Sequence, residues 1–323
     1  MCKRESALKE WLAGIIKQED FILTPLFGDA SFRRYFRIEY NGLTQIVMDA
    51  PPEKENLASF IHMARKLAAA QVLTPEIIAQ EPQQGFLLLS DFGDHLLLGS
   101  LNPETANNYY SQAMQSIFKM QTCSTNDPML PSFSTAFMLQ EMNLCTEWFF
   151  KAYLALELQE KEQLLINKTM AWIATEVAHQ PQVFIHRDFH SRNLMLVDKQ
   201  SLGVIDFQDA MCGPVTYDLV SLLKDCYIAW PRAKLLEWLG YFHTHNQAVA
   251  HYSLAELVRA FDLCGVQRHL KVLGVFCRLQ LRDNKPGYLK DLPLTLNYVL
   301  ECTESYNELR PLHDFLQDRV KLP

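Results

Sequence analysis

Two aspartates and an asparagine define the chemistry open to this chain. They lie in Phe184-Ile185-His186-Arg187-Asp188-Phe189-His190-Ser191-Arg192-Asn193, continued by Leu194 to Val197 and closed by Gly203-Val204-Ile205-Asp206-Phe207-Gln208-Asp209. Two short apolar runs flank the polar turn Asp198-Lys199-Gln200-Ser201, the pattern of a β-hairpin. With Lys199 and Gln200 as the loop residues, antiparallel register sets Asn193 opposite Asp206. An amide and a carboxylate side by side offer oxygen ligands to a hard divalent cation. Asp188, on the loop just before, can take a hydroxyl proton. These are the parts of a phosphoryl-transfer site: Asp188 as base, Asn193 and Asp206 as Mg²⁺ ligands, with water and phosphate oxygens completing the shell. An ordinary surface hairpin accounts poorly for three such residues in this order and context.

The neighbouring polar residues divide between scaffold and site. His186 reads as a buried residue that hydrogen-bonds the loop, since Asp188 already supplies the acid–base group. Asp218 reads as an internal anchor for the loop. His190 and Arg192 face either the substrate or solvent, and Asp209 holds a second metal, a substrate hydroxyl or a structural hydrogen bond. Farther on, a helical wheel over 266–282 places Arg268, Lys271, Arg278 and Arg282 within an arc of roughly 80°. That arc is either a solvated edge or a cationic wall for an anionic substrate, with Arg268 and Lys271 as its candidate substrate contacts.

The elements that must position these groups follow from hydrophobic period. Leu8, Trp11, Leu12, Ile15 and Ile16 predict an opening amphipathic helix. Strands are expected at 21–26, 34–40 and 44–49, with a type I′ turn at Asn41-Gly42. Between the first two, Gly28-Asp29-Ala30-Ser31-Phe32-Arg33 makes a turn suited to lie over nucleotide phosphates. Backbone groups at Gly28, Ala30, Ser31 and Phe32 would be assisted by Arg33 or Arg34. A helix at 57–70 and strands at 72–80 and 85–90 complete this part. Asp91-Phe92-Gly93 imitates a metal-binding triplet but precedes the catalytic loop by about a hundred residues, whereas the metal aspartate must follow that loop. Its place suits a hinge, where backbone groups of Leu89 to Asp91 would bind adenine.

Beyond the hinge the pattern turns helical, at 103–120, 134–156 and 159–178. After the hairpin, helices are expected from 213–220 onward and at 231–248, 253–264, 266–283 and 303–319. A β-rich front and a helical remainder give an α+β, two-lobed architecture. The expected divisions are a nucleotide-binding lobe at 1–90, a hinge at 91–95 and a helical lobe at 96–323.

At 323 residues, 49% hydrophobic and 21% charged, the chain can fill two cores. A net charge of -7 argues against non-specific nucleic-acid binding. Eight cysteines are scattered without metal spacing, which fits buried thiols in a reducing compartment. No run approaches the ~20 apolar residues of a membrane span, and the start lacks the apolar core of a signal peptide. A cytoplasmic protein with no membrane or nucleic-acid partner is expected.

Together these motifs resemble the aminoglycoside/choline phosphotransferase superfamily, whose fold is protein-kinase-like. Within it the chain is most similar to the bacterial N-acetylmuramate/N-acetylglucosamine anomeric kinases of cell-wall recycling. The resemblance covers nearly the whole chain. It rests on Gly28 to Arg37, Met48-Asp49-Ala50-Pro51-Pro52-Glu53, Glu141 to Phe149, the 186–193 loop, Ile205 to Ala210 and Gln267 to Phe276. It implies transfer of the ATP γ-phosphate to the anomeric hydroxyl of an N-acetylated amino sugar, with Asp188 as base and Asn193 and Asp206 on Mg²⁺. The product would pass to a nucleotidyltransferase without a stable complex. The lactyl carboxylate of N-acetylmuramate would give Arg268 and Lys271 a purpose.

One departure stands out. Protein kinases carry a lysine on the third strand, paired with a helix glutamate. Here Thr44-Gln45-Ile46-Val47-Met48-Asp49 has none, leaving Arg33, Arg34 or Lys54 to replace it. Kinases of choline, homoserine or aminoglycosides share the superfamily features, and a nucleotide-binding pseudokinase scaffold is the reading from another class.

Overall fold

The computed structural model describes residues 3–26, 32–198 and 201–322. They form two compact units. The first comprises 1–96 and 194–209, the second 97–193 and 210–323. The hairpin, expected within the helical lobe, therefore groups with the first unit.

In the first unit, helix α1 (Lys3–Ile16) is followed by β1 (Ile22–Leu26), β2 (Arg34–Tyr40), β3 (Leu43–Asp49), α2 (Leu57–Ala69), β4 (Ile77–Glu81) and β5 (Phe86–Ser90). The five strands make one antiparallel sheet in the order β1-β2-β3-β5-β4. Asn41 and Gly42 form the expected two-residue turn, with φ of 49° and 75° between the paired Tyr40 and Leu43. Helix α1 buries Leu8 and Leu12 against Ile38, Val47, Phe86 and Leu88. Each such side chain contributes about 1.5–3 kcal/mol by leaving water. The strand expected at 72–80 begins only at Ile77, because Pro75 lacks the N–H a ladder needs. Helix α2 is capped by Asn56, whose side chain accepts from Ser59 N at 3.3 Å.

The second unit begins with α3 (Ala106–Gln121) and α4 (Thr135–Leu144), the latter continued by a π-helical stretch, Cys145–Tyr153. Helix α5 (Glu160–Ala178) leads into β6 (Gln182–Ile185). The hairpin strands β7 (Leu194–Asp198) and β8 (Ser201–Val204) belong to the first unit, after which β9 (Met211–Pro214) returns to pair with β6. This two-stranded sheet carries the 186–193 loop, and neither strand was expected. A Cβ on Gly213 would fall 2.4 Å from Ile185 Cδ1 and 3.0 Å from Phe133 Cβ, so a larger residue there would force those side chains to shift.

Helices α6 (Tyr217–Leu223), α7 (Arg232–His245), α8 (Leu254–Leu281), α9 (Leu292–Ser305) and α10 (Arg310–Arg319) complete the unit. The two helices expected at 253–264 and 266–283 are one. Gly265 costs about 1 kcal/mol relative to alanine, and burial on both sides of it outweighs that. Conversely, the helix expected at 303–319 is broken, because Pro311 starts a new helix rather than continuing one. Among the described residues no disulfide forms. No described helix is long and apolar enough to cross a membrane.

Candidate active site

In the second unit the 186–193 loop is pinned from below by Asp218, whose carboxylate accepts the N–H groups of His186 at 2.7 Å and Arg187 at 3.0 Å. Arg187 takes a φ of 76°, which costs an arginine roughly 1–3 kcal/mol. The side chain helps hold it there: Nη2 meets Glu141 Oε1 at 2.7 Å, and the guanidinium lies 5.3 Å from the Phe137 ring centre. His186 is fully buried, and its Nδ1 accepts from Asp188 N at 3.3 Å. His186 and Asp218 thus both hold the backbone of the loop, the placement expected of each. Burial pushes the Asp218 carboxyl up to about 6, against the lowering effect of His186 and the two N–H donors.

Asp188 sits among cations. Its Oδ1 lies 3.9 Å from Arg268 Nη2, and 40% of its side chain is accessible. Withdrawal from water would raise this carboxyl, but Lys271, Arg268, His190 and Arg187 hold it well below the usual carboxylate range. The group is therefore ionised at any working pH and is a weak base. It can hold a hydroxyl by its proton more readily than remove that proton.

The expected basic arc on α8 does not act as one face. Arg268 is only 4% exposed and donates through Nε to Ser221 Oγ at 2.6 Å. Lys271 pairs with Glu141 at 3.2 Å. Arg282 is exposed and turned toward Asp283 at 2.8 Å. Three cations and two carboxylates (Arg187, Arg268, Lys271, Asp188, Glu141) thus form one cluster, while the end of the helix faces outward. Glu141 was not identified as a site residue. Its signal was the one charged residue of α4, set between Met138 and Met142.

Asn193 donates through Nδ2 to the Asp188 carbonyl at 3.0 Å, leaving the amide oxygen as the end a cation can use. Ser191 N donates to Asp225 at 3.0 Å. Arg192 lies 3.8 Å over the Tyr227 ring, and His190 packs edge-on to that ring at 5.5 Å. Tyr227 was missed because nothing in its sequence context marks it as polar-site material.

In the first unit the hairpin ladder runs Leu194↔Val204, Met195↔Gly203 and Leu196↔Leu202, with a shift before Asp198↔Ser201. That irregularity moves the register by one, so the ladder does not set Asn193 opposite Asp206 as simple counting required. Lys199 and Gln200 lie outside the described residues. Asp206 adopts φ 64° and leaves half of its side chain exposed. Gln208 Nε2 donates to Asp206 Oδ1 at 2.9 Å and to Asp209 Oδ2 at 3.1 Å. Arg33 Nη1 approaches Asp206 Oδ1 at 3.9 Å.

Gly28, Ala30 and Ser31 fall outside the described residues. Phe32 and Arg33 are tied to Glu55, and Arg34 Nε is bonded to the buried Asp49 at 3.0 Å. Leu89 lies mid-sheet between Ile46 and Ile77. The Asp91 carboxylate is occupied by Arg37 at 2.6 Å and Gly93 N at 2.8 Å. Phe92 seats against Gly203, where an added Cβ would lie 2.5 Å from the ring. The Asp91-Phe92-Gly93 triplet is thus a structural corner, in keeping with its early position in the chain.

Among the described residues no cluster of three or more His, Cys, Asp or Glu could hold a metal by itself. Mg²⁺ does not need one, since it keeps waters and phosphate oxygens beside one or two protein ligands. The Asn193 amide oxygen in the second unit and the half-exposed Asp206 carboxylate in the first are each, taken separately, oxygen donors of the kind Mg²⁺ accepts.

The model of the phosphotransferase enzyme family matches residues 22–257. The chain belongs to that family. A Pseudomonas putida protein named N-acetylmuramate/N-acetylglucosamine kinase is 38% identical over 92% of this chain and 88% of its own. A Neisseria meningitidis protein of the same name is 36% identical over 98% and 96%. An ADP-bound aminoglycoside phosphotransferase superposes with a TM-score of 0.61 at 15% identity, over 92% of this chain and 99% of that one. The protein-kinase-like fold of this family is the α+β, two-unit architecture described above.

Proposed function

We propose that the chain transfers the γ-phosphate of ATP to the anomeric hydroxyl of N-acetylmuramate, N-acetylglucosamine or both, in cell-wall recycling. The observation that carries this reading is the match, over most of each chain, to two kinases named for those sugars. The electrostatics of Asp188 agree with it. An anomeric hydroxyl is more acidic than an ordinary alcohol, so a weak carboxylate base suffices to orient it and receive its proton late.

In this reading Asp188 fixes the acceptor hydroxyl, and Arg268 and Lys271 keep Asp188 charged. Asn193 and Asp206 would hold Mg²⁺, which neutralises charge on the triphosphate when bound. Because Leu89 and Ser90 are already paired within the sheet, adenine would fall to the backbone of Asp91, just beyond the end of β5. His190, Arg192 and Asp209 would face the sugar, with Arg192 held flat by Tyr227. The sugar 1-phosphate would go on to a nucleotidyltransferase without a stable complex. The use of ATP would place the chain in the cytoplasm.

The test is an ATP-consumption screen over free amino sugars, cholines and aminoglycosides, with phosphorus NMR locating the new ester. A 1-phosphate on an N-acetylated amino sugar is expected. An ester on any other oxygen, or turnover with only the other acceptors, overturns the assignment.

A further inference from the structure

A bound triphosphate needs a fixed cation from the protein, and β3 offers no lysine for it. Three nearby cations compete for that task, and the structure separates them. The Arg34 guanidinium is bound to Asp49, which is completely buried and also receives Arg4 Nε at 2.7 Å. The Lys54 ammonium lies 4.4 Å over the Phe32 ring. Arg33 differs from both. Its Nε meets Glu55 Oε2 at 2.9 Å, its Nη1 faces Asp206 at 3.9 Å, and only 12% of its side chain is exposed.

Glu55 is built to aim this guanidinium. Its other oxygen accepts Phe32 N at 3.2 Å, so one carboxylate fixes both the backbone and the side chain at the exit of the β1–β2 turn. Glu55 stands directly before the Asn56 cap of α2, and the first turn of that helix also holds the segment carrying Asp206. Ser59 Oγ donates to the Gln208 carbonyl at 2.9 Å, and Phe60 packs on Phe207 at 4.8 Å. One helix end therefore sets Glu55, Arg33 and Asp206 in fixed relation. The 3.9 Å separation between Arg33 and Asp206 is a charge contact and not a closed hydrogen bond. Arg33 also hydrogen-bonds the Tyr35 side chain, but a guanidinium carries five N–H donors, so it can keep Glu55 and Tyr35 and still offer a donor to a phosphate oxygen.

We infer that Arg33 is the cation that binds the nucleotide phosphates, and that Glu55 is its positioning residue. The pair takes the place of the strand lysine and helix glutamate of protein kinases, with the cation moved to the start of β2. The inference rests on the proposed use of ATP, but not on the identity of the sugar.

Calorimetric titration with Mg-ADP, without sugar, tests it on the whole chain. Arg33→Gln should weaken binding by about 10–100-fold, the loss of one charge-assisted contact. KM for ATP should rise in step while KM for the amino sugar stays within about twofold. Arg33→Lys should fall between wild type and Arg33→Gln, because it keeps the charge but loses the planar fork of donors. Glu55→Gln should weaken Mg-ADP by about 3–10-fold, which decides the matter if Arg33→Gln does not fold. Lys54→Gln should bind as wild type. Unchanged Mg-ADP affinity in folded Arg33→Gln, or in Glu55→Gln where Arg33→Gln does not fold, overturns the inference. So does a loss confined to Lys54→Gln. A chain that shows the expected titrations but makes no amino-sugar phosphate refutes the substrate assignment and supports this one.

Discussion

Asp188 and Asp206 are both aspartates assigned to one reaction, and the protein builds them in opposite ways. Asp188 is ringed by three cations, each tied to a further partner, on a loop whose strained backbone is bonded to a buried carboxylate. Asp206 is half exposed, takes a left-handed backbone that aspartate tolerates, and meets one amide and one distant guanidinium. The contrast separates two needs. A group that must hold a substrate hydroxyl in one orientation is surrounded by fixed dipoles and charges beforehand. A group whose charge is to be matched by a hydrated ion stays close to water.

That contrast can be broken most severely at Asp188. Asp188→Asn, which removes the proposed base, should cut kcat by about 10²–10⁴-fold. It should also lower the melting temperature, since the ionised carboxylate offsets Arg187, Arg268 and Lys271 in the folded chain. Steady-state kinetics beside a thermal melt checks both halves.

A different break is available at Gly274, where α8 crosses the start of the π-helical stretch. A Cβ there would fall 2.2 Å from the Leu144 carbonyl carbon. Gly274→Ala should lose about 1–3 kcal/mol by overpacking, despite its better helix propensity. Because the same helix carries Arg268 and Lys271, kcat should fall as well. Urea unfolding of this variant that matches wild type would remove the case for a rigid charge cluster.

The anchor beneath the loop sharpens the contrast through pH. The Asp218 carboxyl sits at about 6 in the folded chain, above its unfolded value near 4. An acid raised in this way contributes stability that is fully present below the unfolded value and is lost as pH rises through 6. Asp218→Asn does not titrate, so its penalty relative to wild type should be larger at pH 4 than at pH 7, by about 1–2 kcal/mol. Chemical denaturation at the two pH values measures the difference, and the opposite sign would mean that the two N–H bonds outweigh burial. The smallest effect is expected at the exposed end of α8. Arg282→Ala removes only a pair between adjacent residues and should leave melting temperature and kinetics unchanged.

Much of this arrangement was legible in the residues. The order Asp188, Asn193, Asp206 named the chemistry, and Asn41-Gly42 placed a turn to the residue. Hydrophobic period gave the front sheet and most of the helices. What could not be read was set by tertiary contact. A one-residue irregularity in the hairpin shifts its register, and no local signal announces it. The β6–β9 pair is too short for its pattern to show, and Gly213 packs closely on Ile185 across it. The arc of four cations on α8 was correctly placed on a helix. Yet angle alone cannot tell that Arg268 is buried at Asp188 while Arg282 is exposed beside Asp283. Glu141 and Glu55 acquire their roles only through the partners that folding brings to them.

The hairpin of β7 and β8 has a consequence for dissection of the chain. Leu196 N donates to the His95 carbonyl and Val204 N to the Leu73 carbonyl, each at 2.8 Å, and Phe92 fills the space above Gly203. A fragment starting at residue 97 would keep the hairpin but lose all three partners, stranding two amide donors and an apolar strip. Neither unit is one continuous segment of chain, so no single cut should yield two soluble halves.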